Sequence, residues 1–135
     1  MPTPPTTGDD TAGDDTTTVA ELRQLIADFV DQRDWQQYHS PKNISMALAV
    51  EAAELMEHFQ WMDQQASRLI PADEQKLQAV GEEIADVIGY AMAISNELGI
   101  DISATMRAKM QKNREKYPVE ECRGDKFRQR LSTNE

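Results

Sequence analysis

Four carboxylates recur at one spacing in this chain. Glu51 and Glu54 stand three residues apart in Glu51-Ala52-Ala53-Glu54, and Glu83 and Asp86 do the same in Glu82-Glu83-Ile84-Ala85-Asp86-Val87. At about 100° per residue the second segment reads as a helix whose apolar stripe is Val80, Val87, Ile94 and Leu98. Glu83 and Tyr90 fall within that stripe, and Asp86 lies on its border. Burying an ionised carboxylate costs several kcal/mol even after relaxation, so each such group must be protonated, paired with a base or bound to a cation. No Lys or Arg lies between Glu83 and Tyr90. The two pairs together point to a shared metal ion.

On antiparallel helices, two i,i+3 pairs bordering the apolar seam can present four carboxylates to one cleft. Oxygen ligands suit hard ions, Mg²⁺ first and Mn²⁺ as its substitute. A dinuclear iron site would use Glu-x-x-His on two helices. Here His58 follows Glu54 by four residues and the segment around Glu83 has no histidine, so iron oxidation chemistry is set aside. Magnesium keeps waters and binds substrate phosphates, which lets an acidic pocket take a polyphosphate as its metal complex.

The elements that must position these groups are helices. Thr18-Val19-Ala20-Glu21 is a capping box that opens a first helix to about Asp34, with Val19, Leu22, Ile26, Phe29 and Val30 on its apolar face. Trp35, Tyr38 and His39 then lie at a junction, where the residues alone favour aromatics plugging the end of a bundle. Ser40 caps and Pro41 starts a second helix, which runs to about Phe59 with Leu48, Ala52, Leu55 and Phe59 on its packing face. A weak pattern from Asp63 to Pro71 suggests a connector or one extra turn. The third helix runs from about Pro71 to Leu98 and stops at Gly99, and Asp101 caps a fourth that ends before Pro118.

The 135 residues fit one all-α domain of the four-helix-bundle type over 18–118, after an acidic leader (1–17) whose composition reads as disordered. A polar tail, 119–135, reads as mobile. The net charge of −10 argues against nucleic acid or an anionic membrane surface as partner. Cys122 is the single cysteine, so no intrachain disulfide forms. No apolar run approaches the roughly 20 residues that span a bilayer, and Met1-Pro2-Thr3-Pro4-Pro5 is no signal peptide. The reading is a soluble, cytoplasmic protein.

Arg33-Asp34-Trp35 through His39, Pro41-Lys42-Asn43, Glu51-Ala52-Ala53-Glu54-Leu55, Phe59-Gln60-Trp61, Glu82 through Val87, and Lys109-Met110 with Asn113 and Lys116-Tyr117-Pro118 occur in that order. This set strongly resembles the MazG-like all-α nucleoside triphosphate pyrophosphohydrolases, most of all the dCTP pyrophosphatase branch. The resemblance implies a helical bundle that assembles as a dimer of dimers and hydrolyses a nucleoside triphosphate to monophosphate and pyrophosphate, with dCTP or a modified dCTP as substrate. It implies Mg²⁺ on Glu51, Glu54, Glu83 and Asp86, with Glu82 orienting ligands or the attacking water. It places Trp35, His39, Trp61 and Tyr90 around base and sugar, and Lys109, Asn113 and Lys116 on phosphates, from a neighbouring subunit in one arrangement. One position departs: where animal members of that branch carry a histidine against the substrate, this chain has Ile26, which bears on base preference. The alternatives are a catalytically silent oligomer that senses nucleotides or acts as a scaffold, and a dUTP or broad-range hydrolase.

Overall fold

The computed structural model describes residues 12–132, so most of the expected leader lies outside the described residues. The chain divides into two compact units, Met1–Ile100 and Asp101–Glu135. In the first, α1 (Val19–Gln32), α2 (Pro41–Glu57), α3 (Gln64–Arg68) and α4 (Glu74–Leu98) follow one another, with single 3₁₀ turns at Gln36–Tyr38 and Ile70–Ala72. In the second are α5 (Ile102–Lys116), α6 (Val119–Cys122) and α7 (Lys126–Ser132). No strand occurs among the described residues.

The helix starts follow their capping chemistry. Glu21 N–H donates to Thr18 Oγ1 at 3.1 Å while Thr18 N–H donates to Glu21 Oε2, a complete capping box. Ser40, Asp63, Asp73 and Asp101 cap their helices in the same sense, each accepting from a backbone N–H three residues on. The ends of α1 and α4 share one geometry. Gly99 takes a left-handed φ of 64°, and Ile100 N–H reaches back to Ser95 O. At the end of α1, Asp34 occupies the left-handed position (φ 52°), its N–H bonds Asp31 O, and Trp35 N–H bonds Val30 O. Both are Schellman closures, one built on the usual glycine and one on aspartate.

The core of the first unit is Val30, Ile44, Ile70, Val80, Met92 and Ala93. Ile44, 2% exposed, is the deepest side chain of α2, whereas Ala52, expected on the packing face, is exposed. The most extensive helix contact is α2 on α4, followed by α1 on α4. Arg23 fixes α1 along α4: its Nε donates to Asn96 Oδ1 (2.9 Å), its Nη1 to Ile100 O (2.6 Å), and Asn96 Nδ2 returns a bond to Arg23 O. With Ile26 meeting Gly89, numbers rise on α1 as they fall on α4, so the two run antiparallel. Gly81 and Gly89 both interrupt the 25-residue α4, each at about 1 kcal/mol relative to alanine.

The second unit extends past Pro118, where polarity alone suggests a mobile tail. Tyr117 and Phe127 meet edge to face at 5.7 Å, and Arg130 Nη1 donates to Lys116 O at 2.7 Å. These contacts hold α6 and α7, which are too short to persist unaided.

Candidate active site

The carboxylates gather where α2 meets α4. One oxygen each from Glu51, Glu83 and Asp86 lies within 4.8 Å of the other two. Glu51 Oε2 and Glu83 Oε2 are both shut off from water and make no hydrogen bond. Two buried carboxylate oxygens without a donor, on side chains of one cluster, are a standing electrostatic cost, and a cation is a partner that removes it. The donor set is all oxygen, as Mg²⁺ or Mn²⁺ prefers. Glu54, one helical turn beyond Glu51, stays outside the three-oxygen group but acts on it. The hydrogen bond that protonated Glu51 donates to Glu54 is the largest cause that pushes the Glu51 carboxyl up to about 7, ahead of desolvation and the neighbouring charges of Glu54 and Asp86. Glu82 is exposed on the neighbouring face of α4, within 3.4 Å of Gln78 Nε2.

A cavity of about 390 Å³ begins at this acidic cluster. Its lining runs from Glu51 and Asp86 past Tyr90 to Val30, His39 and Ala93, with Ile26, Phe29 and Trp35 from the α1 side and Ala85 and Gly89 from α4. From Asp86 to Ala93 it follows α4 for seven residues, about 10 Å at 1.5 Å per residue. One end is anionic and the remainder is apolar and aromatic, which suits a ligand with a metal-complexed charged head and a flat ring.

The aromatic wall is held by local structure. The aspartate-based closure of α1 turns the chain so that Trp35 lies edge-on to Phe29 (5.6 Å, 74°) and 6.4 Å from the His39 ring. The Arg33 guanidinium sits 3.6 Å above the Phe29 ring, stiffening the same wall. Asn43 Nδ2 donates to Tyr38 O across the junction. Trp35, His39 and Tyr90 therefore come together with Glu51 and Asp86.

Trp61 does not join them: it is 91% exposed in the turn after α2. Lys109, Asn113 and Lys116 share one face of α5 in the second unit, Lys109 and Lys116 exposed and Asn113 half-buried. Phe29 and Val30 stood on the expected apolar face of α1 without being singled out for the site. Ala85 and Ala93 were missed altogether, and with Gly89 they form an i,i+4 row of small side chains, the signal that marks a cavity wall on a helix.

The MazG-like family matches residues 46–126. Rat dCTP pyrophosphatase 1 is 36% identical over 107 residues, which cover 79% of this chain and 63% of that protein. The human protein of the same name is 33% identical over 121 residues, 82% of this chain and 71% of the relative. The chain belongs to the MazG-like family. A solved pyrophosphatase from Archaeoglobus fulgidus shares the fold of this MazG-like chain, with a TM-score of 0.67 and 36% identity over 73% of this chain and 91% of that one. The chain spans 63% of the length of the rat relative. The matched region of the MazG-like chain holds the four carboxylates at their i,i+3 spacing and all of α4 and α5. Among the described residues no helix is long and apolar enough to cross a membrane.

Proposed function

We propose that this protein is a divalent-metal-dependent nucleoside triphosphate pyrophosphohydrolase, with dCTP or a modified dCTP as preferred substrate. The observation that carries this is the pair of unpartnered, buried oxygens of Glu51 and Glu83 in a cluster whose Glu51 and Asp86 stand at the head of an aromatic cavity. Water adds to the α-phosphorus, the bond to the α,β-bridging oxygen breaks, and monophosphate and pyrophosphate leave, the proton passing to solvent. Glu51, Glu83 and Asp86, with Glu54 beside them, would hold Mg²⁺, which would supply charge neutralisation at the phosphates and a more acidic water. Glu82 orients ligands or that water. Trp35, His39 and Tyr90 take the base and sugar, and Phe29 and Ile26 complete the wall. Trp61 reaches substrate only where a second copy folds its surface into the site.

The phosphate tail needs cations. Residues 1–100 carry five Lys and Arg against eighteen Asp and Glu, whereas 101–135 carry nine against six. Lys109, Asn113 and Lys116 are the phosphate contacts in this reading, from the same or a neighbouring subunit. Support for assembly comes from α4, where Leu77, Ile84 and Ile88 form an exposed stripe with Gly81 among them, and no atom lies within 4 Å of where a Gly81 Cβ would stand. Such a stripe is a surface for a second copy. The protein is expected to run as a homo-oligomer, a dimer of dimers, and the double substitution Ile84→Asp with Ile88→Asp to shift it to a smaller species. Light scattering coupled to size exclusion checks this; an unchanged mass would remove the stripe from the interface.

Product analysis tests the activity itself. A panel of canonical and modified dNTPs and NTPs, with Mg²⁺ and with chelator, is expected to give monophosphate and pyrophosphate only with metal, fastest from a cytosine nucleotide. Metal and nucleotide binding without turnover would replace this reading by the nucleotide sensor.

A further inference from the structure

Gly89 has no packing reason to be glycine. It lies within a regular helix with ordinary helical φ, so it needs no left-handed freedom. A Cβ built there would meet only Ile26 Cδ1, at 3.6 Å, an ordinary van der Waals contact. Alanine therefore fits and would strengthen α4. Gly81, the other glycine of α4, opens on the outer surface; Gly89 faces the cavity, between Ala85 and Ala93 and opposite Ile26. The missing side chain is thus space added to the cavity about one turn beyond Asp86, away from the acidic head. Ile26, Val30 and Ala93 line the same cavity, so much of the wall it shares is apolar.

We infer that Gly89 is a specificity-determining position: with no side chain there the cavity beside Ile26 is wider by one methyl group, and that added width sets the largest base accepted. This rests on the nucleotide reading above. Gly89 brings no side-chain donor or acceptor of its own, so what it contributes to selection works by size. One methylene in an apolar pocket changes discrimination by about tenfold or more. A methyl group at position 89 reaches Ile26 and takes up that width, and a branched four-carbon side chain projects further into the cavity.

The experiment compares wild type, Gly89→Ala and Gly89→Ile on a size-graded set: dCTP, its C5-methyl and C5-iodo derivatives, and dATP. It reads kcat/KM for each nucleotide, equilibrium binding with Mg²⁺, and melting temperature. Gly89→Ala is expected to melt higher than wild type and to lose the largest accepted nucleotide by about tenfold relative to the smallest. Gly89→Ile is expected to widen that ratio further, through KM more than kcat. Ratios unchanged within about twofold in the folded Gly89→Ala protein would overturn the inference while leaving the activity standing. A wild type that neither binds nor hydrolyses any of the set would overturn the nucleotide reading, and the inference with it. Binding without turnover still decides the role of Gly89 from the binding ratios alone.

Discussion

Glu83→Gln and Asp86→Asn are each expected to lower pyrophosphate release by at least about a hundredfold at saturating Mg²⁺, in proteins that melt no lower than wild type without metal. An amide keeps the shape of the carboxylate and removes its charge. At Glu83 the change acts on an oxygen that is buried and has no donor to satisfy it. In the metal-free protein it also removes one of three like charges whose oxygens lie within 4.8 Å, so repulsion falls and a donor appears where only acceptors stood. With metal and substrate the balance reverses, because the lost ligand is one the phosphate complex needs. Loss of turnover with retained or raised stability is therefore the signature of a metal ligand, and a structural carboxylate would lose both. Turnover within about tenfold of wild type in both variants would remove these residues from the metal site.

Much of this was legible in the sequence, for reasons that differ by element. The capping residues Thr18, Ser40 and Asp101 and the Gly99 stop act through bonds within three or four residues, so local pattern suffices to place them. The aspartate closure at Asp34 was hidden, since the left-handed end is usually written with glycine. The i,i+3 carboxylates pointed to one shared cluster, and Glu51, Glu83 and Asp86 do converge. Periodicity could not rank Glu54, because which of two carboxylates on one helix points inward depends on the crossing of α2 over α4. The cavity wall was harder still: Ala85 and Ala93 carry no chemistry of their own, and their meaning appears only once Ile26 and Trp35 stand opposite. In the second unit, α6 and α7 depend on Tyr117, Phe127 and Arg130 meeting, a tertiary event no local window contains.

Metal binding is expected to weaken by about tenfold for each pH unit below 7, with one proton released per ion bound. The group responsible is Glu51, whose carboxyl is pushed up to about 7, first by the hydrogen bond its protonated form donates to Glu54, then by desolvation and by the charges of Glu54 and Asp86. The folded protein holds this proton more tightly than the unfolded chain, where the carboxyl titrates near 4.5. Between those values the native state binds more protons, so stability falls as pH rises. The contribution of Glu51 is full below about 4.5 and lost once pH passes about 7. Without metal, the melting temperature should therefore decline across that window as the cluster becomes fully charged. With saturating Mg²⁺ the decline should flatten or reverse, because the cation takes the place of the Glu51 proton. Calorimetry in buffers of different ionisation enthalpy counts the released proton directly, and Glu51→Gln should remove both the proton release and the pH slope of the metal-free protein. A pH-independent metal affinity from 5 to 8 would mean that the three oxygens are already charged and held apart by other means. The Glu51 proton would then have no part in the metal chemistry proposed for this cluster.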